Sequence, residues 1–265
     1  MSMIAKLKLS WPSLALLKPV EIVIGLPAFF SLAKTPFKCI WALHCAMQNG
    51  DFFFDTLGCS NLVEKEKVAI IAPSLGNGFF INSEFEAQAD FLDELADQLP
   101  MLLPLSTAKK DNNVIGVSMG GFGAIRWALE SGRFESATAI SGVFDCLVPE
   151  DQKIYKDRSL RALHHSLKKI MAKFLLDADG VTREETDFSI LAHKHKSKTN
   201  ISLFCGDRDY ISLNQTLWLD KLLKALSWPV NLKILPGSHE TEFWKKAFSM
   251  AAENIIEKEI NHVSY

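Results

Sequence analysis

The chain has no surplus of charge in either sign. Its 265 residues carry 29 Lys and Arg against 31 Asp and Glu, a net of −2, and no run of Lys or Arg interrupts that balance. The basic footprint of a nucleic-acid binder is therefore missing, and no nucleic-acid partner is expected. Long apolar runs are also missing. The longest, 22–33, is too short to cross a bilayer and contains Gly25 and Pro27, so no membrane span is expected. The N-terminal segment carries Lys6, Lys8 and Lys18. Pro12, Lys18 and Pro19 break its apolar stretches and no small-residue cleavage site follows, which argues against a signal peptide. Cysteine is sparse. Cys39, Cys45, Cys59, Cys146 and Cys205 make an odd count of five without regular spacing. That is no disulfide framework, and reduced, buried thiols in a cytoplasmic protein are the expectation. No repeat, low-complexity tract or linker divides the chain, so one domain over 1–265 is expected.

What is present is apolar and alternating. Hydrophobic residues make up 48% of the chain, enough for a large core. Strand-like runs occur at 20–26, 38–44, 68–72, 136–141, 201–205 and 230–235, and another leads into the turn at Ser118. The first two could form an antiparallel lead-in. A short helix is expected over 55–63. Ser83 with Glu86 fits a capping box for a helix that Pro100 ends. Ser212 with Gln215 could cap another, and a last helix follows His239. The stretch 143–199 is polar and mostly helical in pattern, with a second capping box at Thr182 and Glu185. It reads as a helical insertion over the sheet edge. The fold class is α/β: a mostly parallel central sheet with helices on both faces.

The most informative stretch is 112–129, NNVIGVSMGGFGAIRWAL. It reads as a buried strand, a sharp turn and a helix, with Gly116-Val117-Ser118-Met119-Gly120 at the turn. An elbow of this kind lifts a serine hydroxyl clear of the sheet, and glycines on both sides tolerate the close backbone contacts. The first unpaired N–H groups of the helix then face the serine and can stabilise an anion. A serine is a weak nucleophile and needs a base, which itself needs an orienting group. In an open α/β sheet these come from loops beyond the C-terminal strand ends.

The base candidate is His239, in a turn directly after a strand. His164, His165, His193 and His195 lie in the polar insertion, His262 is in the tail, and His44 suits an oxyanion loop better. The orienting acid lies in Gly206-Asp207-Arg208-Asp209. Asp209 is preferred, Asp207 is the alternative, and Asp145 is a minor competitor. The order Ser, Asp, His is the one this kind of fold uses. An oxyanion hole needs two convergent N–H donors. Met119 supplies one, and the second is expected from the loop around Cys45 and Ala46.

The blocks GVSMGGFGAIRWAL, CGDRDY and PGSHETEFW resemble the three catalytic blocks of the esterase D-like family of α/β-hydrolases. That group includes tributyrin esterases, S-formylglutathione hydrolases and mycolyltransferases, and the resemblance is strongest to the tributyrin esterase branch. It extends over about 38–246. It implies an α/β-hydrolase fold, Ser118 as nucleophile, Asp209 as acid, His239 as base and Ala46 as the second oxyanion donor. The chain departs from the family at Cys45, where glycine is usual. It departs again at Asn77-Gly78-Phe79-Phe80, where an N-G-W-Y-type loop would carry a tyrosine hydroxyl.

Other features weigh less. Cys45 as a second nucleophile lacks a base partner. His193 and His195 are two apart and face different ways on a helix, so a metal pair is not expected. Asp177 to Gly180 echoes a calcium loop, but its glycine comes too early and a turn is the better account. Phe53, Phe79, Phe80 and Trp244 are candidates for an acyl pocket, although aromatics at such positions are more often core. The expected activity is a serine carboxylesterase acting on small acyl esters, with no cofactor or metal. The same residues would serve a thioesterase of the S-formylglutathione hydrolase kind or an acyltransferase. A non-catalytic binding protein has only Cys45 in its support.

Overall fold

The structure is a computed structural model that describes residues 4–257 except 29, 146, 150–151, 157, 178–179, 181–182 and 195–197. Cys146, Asp179, Thr182, His195 and His262 lie outside the described residues. The strands, in chain order, are β1 (Ile4–Ser13), β2 (Lys18–Pro27), β3 (Cys39–Leu43), β4 (Ala69–Pro73), β5 (Asn112–Val117), β6 (Ser136–Ile140), β7 (Asn200–Gly206) and β8 (Val230–Leu235). The helices are α1 (Ser60–Glu66), α2 (Gln88–Gln98), α3 (Met119–Ser131), α4 (Arg158–Leu175), α5 (Phe188–Leu191), α6 (Leu213–Ala225) and α7 (Thr241–Glu257).

Among the described residues the strands form a sheet in the order β1-β2-β4-β3-β5-β6-β7-β8. From β4 to β8 every neighbouring pair is parallel. The sequence expectation of a mostly parallel sheet is met. The lead-in differs from expectation. The antiparallel hairpin is β1 with β2, and β2 then pairs antiparallel with β4. β3 belongs to the parallel set. β1 was not read as a strand because its outward positions hold Lys6 and Lys8, so its apolar content is halved. Those lysines suit an edge, where charge discourages further pairing.

Alternate residues of the central strands point to opposite faces, and both faces are buried. Trp41, Leu43 and Val114 pack on one side with Phe91 and Leu92 of α2, Phe122 and Ile125 of α3, Met171 of α4 and Leu219 of α6. Ile40, Ala42 and Ile115 pack on the other with Val63 of α1 and Phe243, Ala247 and Phe248 of α7. Trp127 ties the first layer together. Its ring stands edge-on to Trp41 at 5.5 Å and to Phe134 at 4.7 Å, and its indole N–H donates to Asp93 Oδ1 at 2.9 Å. Edge-to-face pairs contribute about 0.5–1.5 kcal/mol each beyond their buried area.

Two expected helix caps, at Ser83 and Ser212, are corrected. Ser83 does accept from the Glu86 N–H at 3.2 Å, but that turn closes on itself and α2 begins only at Gln88. The cap of α2 is remote: Asn82 Oδ1 accepts from Ala89 N–H at 3.1 Å and Asp90 N–H at 3.2 Å. At α6 the Ser212 side chain makes no cap bond. Gln215 instead turns its Oε1 to the backbone N–H groups of Phe144 (2.6 Å) and Asp145 (3.0 Å), which fixes the loop after β6. Glu185 lies in a single 3-10 turn, and α5 is capped by Asp187, whose carboxylate accepts from Ser189 N–H at 2.8 Å. Between β6 and β7 the described residues are helical at α4 and α5, with Gly180 in a turn at φ +77°.

Candidate active site

β5 ends at Val117 and α3 begins at Met119, so Ser118 alone turns the chain. Its backbone takes φ 54° and ψ −114°, a conformation that costs an L-residue about 1–3 kcal/mol and persists only where surroundings fix it. The fixing is visible. Ser118 N–H donates to the Ile140 carbonyl at 2.9 Å, and the Ser118 carbonyl accepts from Gly121 N–H at 2.9 Å. A Cβ on Gly116 would lie 1.8 Å from the Gly120 oxygen, and one on Gly120 would lie 1.9 Å from the Leu43 oxygen. Only glycine fits at either place. The hydroxyl is thereby held at the C-terminal edge of the sheet, beside the first turn of α3.

His239, in the turn after β8, reaches over that edge. Its Nε2 lies 3.1 Å from Ser118 Oγ. Its Nδ1 lies 3.1 and 3.0 Å from the two carboxylate oxygens of Asp209, in the turn after β7. The three side chains form one continuous line. Asp209 is fully buried. Burial pushes its carboxyl pKa up, but the adjacent imidazole and the hydrogen bonding around it outweigh burial, and the pKa falls below the usual carboxylate range. The Ser212 N–H donates to Asp209 Oδ1 at 3.1 Å. Ser141 is also buried beside this carboxylate, with φ +51° and no well-aligned partner for its hydroxyl among the described residues. Trp244 stands edge-on to the His239 ring at 5.1 Å and 89°.

The alternative acids are elsewhere. Asp207 accepts from Gly237 N–H at 3.1 Å and so shapes the turn that carries His239. Asp145 accepts from Leu147 N–H at 2.7 Å, and burial raises its pKa. His193 is spent on the Ser189 carbonyl.

The loop after β3 lies against the elbow, since Gly120 packs on the Leu43 and His44 carbonyls. Ala46 and Met119 therefore come from adjacent segments. His44 is fully buried with both ring nitrogens committed. Nδ1–H donates to the Cys45 carbonyl at 2.8 Å, and Nε2 accepts from Leu75 N–H at 3.1 Å. Burial lowers its pKa, which keeps it neutral. Burial pushes the Cys45 thiol up to about 12. A thiol so rarely ionised is no second nucleophile. Cys39, Cys59 and Cys205 are likewise free and buried.

Three of the four proposed pocket aromatics are core. Phe53, Phe79 and Phe80 have no exposed surface. Phe53 packs on Phe52 and Phe248, Phe79 on Phe122, and Phe80 on His44. Of the four, Trp244 alone stands beside His239.

Sequence reading gave Ser212 only as a helix cap and did not single out Ser141, and both lie against Asp209. Ser212 had a signal: an Asp three residues before a helix start commonly accepts from that N–H as a turn or cap. Ser141 meets Asp209 across two loops, and nothing local marks it.

Comparison with known proteins agrees with this picture. Residues 75–254 match the family described as "Putative esterase". An acetyl esterase of Caldicellulosiruptor saccharolyticus is 24% identical over 228 residues, 82% of either chain. A fluorophosphonate-binding serine hydrolase of Staphylococcus aureus superimposes with a TM-score of 0.79 at 21% identity, covering 96% of this chain and 98% of that one. An S-formylglutathione hydrolase of the same organism gives 0.74 at 22% identity, covering 96% and 99%.

Proposed function

The chain belongs to the esterase family just matched, a group of α/β-hydrolases that cleave carboxylic esters, and from that premise we propose that it is a serine esterase of short-chain acyl esters. Ser118 is the nucleophile, His239 its general base and Asp209 the group that orients and charges the imidazole. The observation that carries this reading is the unbroken line from Ser118 Oγ to His239 Nε2, and from Nδ1 to Asp209.

In this reading the reaction runs in two halves. His239 Nε2 takes the Ser118 proton as Oγ attacks the ester carbonyl carbon. The carbonyl oxygen becomes an oxyanion held by the N–H groups of Met119 and Ala46. Collapse expels the alcohol, which receives the proton from His239, and leaves an acyl-serine. Water, deprotonated by His239, then releases the acid. Asp209 stays ionised throughout, consistent with its depressed pKa. The likeness to an acetyl esterase supports small acyl groups over long ones. Buried free thiols fit a reducing, cytoplasmic setting, and no helix among the described residues is long and apolar enough to cross a membrane.

The test is a p-nitrophenyl ester series from acetate to decanoate, run beside S-formylglutathione. The proposal expects kcat/KM to peak at two to four carbons, a range of about 10-fold or more over the long chains. A higher kcat/KM on S-formylglutathione than on any ester would move the assignment to a thioesterase.

A further inference from the structure

Two loops meet beside the elbow. One follows β3 and runs His44-Cys45-Ala46-Met47. The other follows β4 and runs Ser74-Leu75-Gly76-Asn77. They are joined on both sides of Ala46. Leu75 N–H donates to His44 Nε2 at 3.1 Å, and Met47 N–H donates to Asn77 Oδ1 at 2.8 Å. Just beyond, Gly50 N–H donates to Ser74 Oγ at 3.0 Å.

The backbone between these bonds is not relaxed. Met47 sits in the left-handed region at φ +64°, whereas Cys45 and Ala46 do not. A non-glycine residue there costs about 1–3 kcal/mol. The Met47 side chain is 72% exposed and contributes little packing to hold that bend. Two hydrogen bonds do: Gln48 N–H donates to the Cys45 carbonyl at 3.2 Å and closes the turn, and Asn77 holds the Met47 amide at its centre from outside.

We propose that Asn77 is a positioning residue for the oxyanion hole: its amide oxygen fixes the Met47 N–H and so keeps the neighbouring Ala46 N–H aimed at the developing oxyanion. This rests on the reading of Ser118 as nucleophile and Ala46 as donor. A donor is effective only when preorganised, because reorienting it during the reaction costs what the hydrogen bond returns. Without Asn77 the Met47 amide turns to water, and the Ala46 peptide is left with only the bonds its Cys45 carbonyl accepts from His44 and Gln48, so its N–H loses part of its aim. The ground-state carbonyl is held weakly in either case, so the loss falls on the transition state.

Asn77 is exposed, so its substitution leaves the core intact, which a thermal melt checks. Asn77→Ala is expected to lower kcat about 10-fold with KM within about 2-fold, less than the 10²–10³ lost when a donor is deleted outright. Affinity for a trifluoromethyl ketone analogue of the oxyanion should fall by the same factor. Asn77→Asp keeps an acceptor oxygen at the same place and should recover most of the rate. An unchanged kcat in Asn77→Ala, a loss confined to KM, or Asn77→Asp no better than Asn77→Ala would overturn the inference. Ser118→Ala, run in parallel, separates the two levels. If it is inactive while Asn77→Ala is unchanged, the positioning role alone fails. If it keeps its turnover, the reading beneath fails too.

Discussion

At the residue scale, the decisive pair is Asp209 and Asp207. They stand two positions apart in one turn, and sequence alone preferred the first without removing the second. The structure gives them different work. Asp209 holds His239, and Asp207 holds the Gly237 amide in the turn that carries it. Asp209→Asn should cut kcat about 10⁴-fold, because the imidazole loses its tautomer and its counter-charge. Asp207→Asn keeps an acceptor oxygen and should cost less than about 10-fold. Equal losses in p-nitrophenyl acetate turnover would contradict this division. His44 makes a second prediction. Burial depresses its pKa below the ordinary 6.5, so the unfolded chain binds that proton at higher pH than the fold does. Its share of stability is complete above the unfolded value and is lost as pH falls toward the folded one. Urea midpoints should therefore drop between pH 7 and pH 5, and His44→Gln should flatten that slope. A wild-type midpoint constant over this window would refute it. Ser118 and His239 were legible because each sits in a short motif whose strand–turn context can be read locally. Asn77 was not, since its partner Met47 lies 30 positions away in sequence and meets it only through the order of β3 and β4.

At the scale of the element, the β1–β2 hairpin shows how a half-buried acceptor can replace apolar contact. The turn at its tip exposes Leu14 and Leu17. One carboxylate of α2, Glu94, accepts from Trp11 Nε1–H (3.0 Å), Ser13 Oγ–H (3.1 Å), Leu14 N–H (3.3 Å) and Ala15 N–H (2.8 Å). Glu94→Ala should destabilise the fold by about 1–3 kcal/mol and speed amide exchange at Ala15, with Glu94→Gln intermediate. Unaltered exchange at Ala15 would show that the sheet edge holds the hairpin unaided. Helix and strand existence was readable from periodicity in β2 to β8. Helix starts were less so. The Ser83–Glu86 pattern marked a real local turn, but the start of α2 is set by Asn82, acting from outside the helix. Capping patterns report local hydrogen bonding and not whether a helix continues from it.

At the scale of the whole molecule, the parallel strands bring three distant loops to one rim. The Ser118 elbow, the Asp209 turn and the His239 turn follow β5, β7 and β8, and all leave the sheet at the same edge. Alternation of strand and helix made that architecture legible, because a parallel strand buried on both faces needs a helical crossover. The closeness of the layers was not legible. Gly120 against Leu43 leaves no room for a methyl group, so Gly120→Ala should force α3 away from β3 and lower the melting temperature sharply. A variant with native stability and activity would show that the contact is looser than it looks. The account as a whole turns on Ser118 being the residue that reacts, and covalent labelling measures this directly. The folded protein, treated with a fluorophosphonate and mapped by peptide mass, should carry about one adduct per chain on Ser118, with none in Ser118→Ala and slow labelling in Asp209→Asn. An adduct on another residue, or none on the folded protein, would contradict it.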